Sequence, residues 1–269
     1  MKDDHLKSNT ESLSSLSIDP DVLAKELAAE IQGDPLDELD FAIGDGDQSN
    51  ISSECDDGLK WLQQGHEERL QGLRIFCEHR DKRALPYLVP LLSEPCPVER
   101  MSAVYALGRN PFPKIVNILL HLLQNDCNAY VRKAAAWSLG NYPSDPVMQP
   151  LLNALQNDIA AVRLWAASSL AEIGSDSVQN ANIVVSHLLI SLSIDQEPLV
   201  RSNCIWSLGR LYEKLSESLK NRLITQLLRS LMNDSEPSVR DEARISLEQL
   251  NDPKVRIQIK NLDESGLLL

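Results

Sequence analysis

Polar and apolar positions along this chain repeat one figure six times: an Arg, a small residue three places later and a large apolar residue seven places later. The copies are Arg69, Gly72, Phe76; Arg100, Ala103, Leu107; Arg132, Ala135, Leu139; Arg163, Ala166, Leu170; Arg201, Cys204, Leu208; and Arg240, Ala243, Leu247. Offsets of three and seven lie on one face of an α-helix, so each copy predicts a helix that turns a small and then a large side chain towards a neighbour. Successive arginines are 31, 32, 31, 38 and 39 residues apart, a period that belongs to stacked supersecondary units. Val131, Val162, Val200 and Val239 precede the Arg in four copies, and Gly108, Gly140 and Gly209 follow the apolar residue, where they are expected to end the helix.

Ahead of each copy after the first stands another apolar segment of helical length, beginning near Ala84, Ile115, Val147, Asn182 and Asn221. Leu, Ile or Val recur in these segments at i, i+3, i+4 and i+7, and the segments run into polar turns such as Asn125-Asp126, Asn157-Asp158 and Asn233-Asp234. The unit is therefore helix, tight turn, helix, and the fold class is all-α: a solenoid of about five to six helix pairs over residues 59–250. The two longer spacings call for longer connections, placed at 175–182 and 214–220. A short helix from Asp252-Pro253 is expected to cap the array within 251–269, with the final GLLL frayed. Residues 1–58 lack the figure and read as an acidic, partly disordered extension: one amphipathic helix near 20–32, then a mobile tail to residue 58.

Charge sharpens that division. Residues 1–58 carry 16 acidic side chains against Lys2, Lys7 and Lys25, which accounts for the whole net charge of −13; residues 59–269 are formally neutral. A neutral body with an acidic extension argues against nucleic-acid binding, which needs clustered Lys and Arg to displace phosphate counterions. The sequence holds no apolar run long enough to span a bilayer and begins without a secretory signal, so no membrane insertion and a cytoplasmic location are expected. Five cysteines in such a chain are expected to be reduced thiols.

The pattern D-x-x-x-x-V-R-x-x-A-A-x-x-L-G resembles the HEAT repeat, and the versions NDCNAYVRKAAAWSLG and DQEPLVRSNCIWSLG are similar to the phycobilisome-lyase HEAT-like family of cyanobacteria. The resemblance covers residues 69–250. It departs from the pattern at Ala171 and Glu248, where glycine is usual. It implies a HEAT-type α-solenoid that binds another protein, in a family whose members include bilin-lyase subunits, phycobilisome-degradation factors and a protein that interacts with an iron–sulfur carrier. The expected function is a non-enzymatic scaffold or assembly chaperone for an iron–sulfur carrier or a phycobiliprotein-related client. The alternative is a bilin lyase or isomerase subunit acting on phycobiliproteins, or a phycobilisome-degradation factor.

Two sets of side chains invite a site. Asp126, Asp158, Asp195 and Asp234 lie five or six residues before Arg132, Arg163, Arg201 and Arg240, so these arginines and Arg100 can pair with the aspartate of their own or the neighbouring unit in a structural ladder. Offsets +2, +5 and +9 from the Arg form a separate stripe. On it stand Tyr105, Trp137 and Trp206 at +5, Trp165 at +2, and Arg109 and Arg210 at +9. Tyr, Trp and Arg in a row have the composition of a protein-binding hot spot, although large rings also fill grooves between helices. Cys96 and Cys127 occupy similar places in adjacent turns but lack the third and fourth ligands of a metal or iron–sulfur site, so neither a metal nor a cofactor is expected. His66, His79 and His187 have no evident partner. No nucleophile elbow, P-loop or zinc-protease helix occurs, so no catalytic residue is assigned.

Overall fold

The computed structural model describes residues 48–142 and 144–265, in which thirteen α-helices occur and no strand. They form six antiparallel pairs: α1 (Gln48–Trp61) with α2 (His66–Glu78), α3 (Leu85–Leu91) with α4 (Pro97–Arg109), and α5 (Val116–Asn125) with α6 (Ala129–Leu139). The series continues with α7 (Ser144–Asn157) and α8 (Ala160–Gly174), α9 (Val178–Ile194) and α10 (Pro198–Leu211), and α11 (Glu217–Asn233) and α12 (Pro237–Gln249). The thirteenth helix, α13 (Pro253–Glu264), packs on α12 and buries Val255 and Ile259. The expected helix at 20–32, the acidic segment up to residue 47 and the terminal GLLL lie outside the described residues.

Each second helix packs against its own first helix and against the second helices on either side, whereas first helices touch one another sparsely. The sequence explains the asymmetry. Ala103, Ala135, Ala166, Cys204 and Ala243, the small residues of the figure, are all fully buried and let adjacent second helices approach closely. The bulkier leucines of the first helices hold their layer further apart. The result is an α-solenoid whose second helices form one continuous layer.

The ladder arginines join these units. Arg100 donates through Nε and Nη2 to both carboxylate oxygens of Asp126, at 2.9 Å each. Arg132 does the same to Asp158 (2.9 and 2.8 Å), Arg163 to Asp195 (2.7 and 2.8 Å) and Arg201 to Asp234 (2.8 and 2.7 Å). The carboxylate is always that of the following unit. From Arg132 onwards, Nη1 turns back to the carbonyl of the aspartate in its own turn, as in Arg132 to Asp126 at 3.0 Å and Arg240 to Asp234 at 2.7 Å. The aspartates in turn accept backbone amides: Asn128 donates to Asp126, Glu197 to Asp195 and Glu236 to Asp234. One residue pair thus closes the tight turn and fastens it to its neighbour. Arg240 has only the carbonyl half of this arrangement, with no carboxylate partner among the described residues.

Three expectations need correction. First, only one of the three glycines after the apolar residue ends its helix. Gly140 caps α6, in a right-handed conformation with φ −62°, whereas Gly108 and Gly209 lie inside α4 and α10. Their role is close approach: a Cβ would lie 2.3 Å from Trp137 Cζ3 at Gly108, and 2.6 Å from Ser169 Oγ at Gly140 and from Ser246 Oγ at Gly209. Secondly, the extra residues of the 38- and 39-residue spacings lengthen helices rather than connections. Both α9 and α11 run to 17 residues, leaving short links at 175–177 and, with a 3₁₀ turn, at 212–216. Thirdly, residues 48–58 are not tail but most of α1, the first helix of the first pair. Cys55 and Leu62 are buried, and Gly58 lies against Phe76.

The folded unit therefore begins by Gln48. A chain starting at residue 48 is expected to unfold cooperatively, whereas one starting at residue 62 uncovers Phe76 and Gly72 and should melt at least about 5 °C lower. Equal midpoints in differential scanning calorimetry would show that α1 contributes nothing.

Candidate partner-binding face

The second-helix layer carries the +2, +5 and +9 stripe, and its middle and carboxy-terminal units form a groove of about 640 Å³. Trp137, Trp165 and Trp206 line it with Arg109, Asn141, Ser168, Glu172, Asn203 and Glu242, so residues of all three offsets meet in one trough. Leu199, 69% exposed, adds an apolar edge. Ser202 Oγ, buried on the same wall, has no hydrogen-bond partner among the described residues.

Individual members of the row differ. Tyr105 is fully buried and cannot touch a partner. Its ring meets Trp137 edge-on, with centroids 5.6 Å apart and planes at 71°. The cause is the stacking itself: Gly108 lets the Trp137 ring lie over α4 and cover the preceding ring at the same offset. Arg109 is half-buried, donating from Nε to the Cys77 carbonyl at 3.1 Å with its guanidinium 5.8 Å from the Trp137 ring, so it holds α4 to α2. Trp137 and Trp165 are half-buried with faces in the groove. Trp206 is 40% exposed; Arg210 stacks on it at 4.9 Å and pairs with Glu172 at 2.7 Å. The accessible part of the stripe therefore runs from Trp137 to Trp206 and Arg210, towards the carboxy-terminal end.

The histidines without evident partners all have one. His66 Nδ1 lies 3.0 Å from Glu99, His79 Nε2 2.9 Å from Glu54 and His187 Nδ1 2.9 Å from Gln156. Each partner is at least 25 residues away in sequence, so spacing alone gave no sign of it. Cys96 is buried beside His66 and Glu99, whereas Cys127 is exposed. Cys77 and Cys204 are buried thiols, and burial pushes the Cys77 pKa up to about 12.

Comparison with known proteins agrees with this geometry. A model described as HEAT repeats matches residues 63–140 and 116–185, and one described as HEAT repeat matches 184–215, so HEAT models span more than half of the chain. The chain belongs to the HEAT-repeat family. Among solved structures, this HEAT array is similar to yeast importin-β (Kap95p), with a TM-score of 0.57 and 16% identity over 89% of this chain and 35% of that one. It is also similar to Kap121p, with a TM-score of 0.56 and 17% identity over 85% of this chain and 28% of that one. The HEAT chain thus spans about a third of either protein, and at these identities the likeness concerns the fold. No curated protein matches it. No described helix is long and apolar enough to cross a membrane.

Proposed function

We propose that this HEAT array is a non-enzymatic scaffold or assembly chaperone that holds a client protein along its second-helix face. The observation that carries the reading is the groove in which Trp137, Trp165 and Trp206 converge beside exposed Leu199. Solenoids use such extended faces for binding, and Trp and Arg give contact area and directed pairing at low entropic cost. The repeat's own packing does not require Trp206 or Arg210, whose pairing with Glu172 is solvent-exposed. The client's identity is the finer part of the proposal. The sequence versions around Arg132 and Arg201 support an iron–sulfur carrier or a phycobiliprotein-related protein. The bilin-lyase alternative rests on the same resemblance; a transferable adduct formed from free bilin by the purified protein would establish it.

Affinity capture from the native cell with mass spectrometry identifies the client. Trp206→Ala is then expected to weaken binding by over about 1 kcal/mol, roughly fivefold or more. Arg210→Ala should weaken it similarly while shifting the melting temperature little, since an exposed ion pair contributes at most about 1 kcal/mol. Unchanged affinity in the double variant, measured by calorimetry, would remove the site from this groove.

A further inference from the structure

Glu99 breaks the repeat's own rule. The position before the ladder arginine is Val131, Val162, Val200 and Val239 in four units, each fully buried, and here it is a carboxylate only 3% exposed. A buried carboxylate is costly unless it is paired or holds a cation. Around it, His66 Nδ1 from the first turn of α2 lies 3.0 Å away and Arg69 Nη1 3.4 Å away. Cys96, the residue before α4, brings a buried thiol to the same point. One ligand atom each of His66, Cys96 and Glu99 lies within 4.8 Å of the others.

We infer that His66, Cys96 and Glu99 form a site for one divalent cation of the zinc type, with a fourth position open to solvent. The donor set is one imidazole nitrogen, one thiolate and one carboxylate. That set suits a borderline-soft ion and not magnesium or calcium, which require oxygen ligands. Bonds of about 2.0–2.3 Å in tetrahedral array need ligand atoms roughly 3.3–3.8 Å apart, which small side-chain rotations reach from the observed positions. The His66 side chain, 54% exposed, leaves an entry path. Arg69 keeps Glu94 Oε1 at 3.4 Å and the Gln64 carbonyl at 3.5 Å as partners when Glu99 turns to the cation. Thiolate and carboxylate neutralise the ion, the Cys96 proton passing to solvent. The location gives the site a purpose. At this first boundary Arg69 makes only long contacts, to Glu94 and Glu99 at 3.4 Å each, against two bonds of 2.7–2.9 Å to one carboxylate at the four boundaries that follow. A cation here fastens α2 to α4 where the ladder is weakest.

The test is titration of the chelator-treated full chain with Co²⁺, followed by Zn²⁺ displacement. One equivalent of Co²⁺ is expected, with thiolate-to-cobalt charge-transfer absorption in the near ultraviolet and the visible bands of a four-coordinate ion, both abolished by Zn²⁺. Glu99→Val installs the residue that the four following units carry at this position; it should fold at least as well and bind Co²⁺ at least tenfold more weakly. Cys96→Ser should lose the charge-transfer band, while Cys127→Ser should keep it. Zn²⁺ should raise the melting temperature of the wild type and not that of Glu99→Val. No stoichiometric uptake, or equal binding by Glu99→Val, would overturn the inference and leave Glu99 as an ion-pair partner of His66 and Arg69.

Discussion

Arg163→Ala is expected to lower the stability of the array by about 3 kcal/mol, measured as a shift in the denaturant midpoint. The guanidinium makes two charge-assisted bonds to Asp195 and one to the Asp158 carbonyl. Both charged groups are largely sheltered, at 19% and 6% exposure. Truncation leaves the mostly buried Asp195 carboxylate with the Glu197 amide but without its bidentate counter-ion, and removing one partner of such a pair costs more than the pair was worth. The same contact predicts acid sensitivity. Burial raises the Asp195 pKa, but hydrogen bonds from Arg163 and the Glu197 amide outweigh it and hold the group below its ordinary 3.8; Asp234 behaves alike with Arg201. A carboxylate whose folded-state value is depressed adds stability that is complete above its unfolded value and lost as pH falls through the folded one. The stability gap between wild type and Arg163→Ala should therefore be constant near neutrality and narrow below about pH 4. A gap that persists at pH 2 would mean that the arginine acts through packing rather than charge.

Gly140→Val is expected to cost about 3 kcal/mol, and Gly140→Ala about 1–2 kcal/mol. A Cβ at this position meets Ser169 Oγ at 2.6 Å, Ser169 Cβ at 2.9 Å and Ser169 Cα at 3.1 Å, so the obstacle includes the backbone of α8. Rotating Ser169 away gives no relief, because its buried hydroxyl donates to the Ala136 carbonyl at 2.8 Å. At Gly108 the first atoms met belong to the outer edge of the Trp137 ring, which can swing into the groove. The same substitution there should be milder for folding. Thermal melts of the three variants check the order, and a Gly140→Val protein as stable as wild type would refute the close-approach account.

The second-helix series was legible because its determinants are local: a small residue at +3 and an apolar residue at +7 are dictated by one helix packing on its own copies. The ladder was half legible. Spacing brought each Arg near two aspartates, and only the stacking showed that the side chain takes the following unit's carboxylate while Nη1 takes its own turn's carbonyl. The first helix was missed because Ile51, Cys55, Leu59 and Leu62 are diluted by Ser, Asp and Glu. One buried thiol and a few aliphatic side chains suffice for a helix that packs on one side only. Tyr105 shares the offset of the row yet is covered, because offset fixes the side of a helix but not whether the next unit lies over it. Glu99 shares its slot in the aligned copies with Glu68 and four valines, so the acid alone carries no signal. Its meaning required His66, 33 residues earlier, to be brought alongside.

The ladder makes the array easy to lengthen or shorten by whole units. Each of its four rungs joins the Arg of one unit to the Asp of the next, so the chemistry of the joint is the same at every boundary it spans. Splicing Val131 directly to Arg163 would delete one whole unit, yet leave Arg100 opposite Asp126 and Arg163 opposite Asp195, with Arg163 still reaching back to a turn aspartate. Copying the same stretch in tandem would insert a unit with both joints intact. Recombination between misaligned copies therefore yields chains whose Arg–Asp joints are intact, and the length of the array, hence the length of the face it presents, can vary by whole units without new joint residues having to arise.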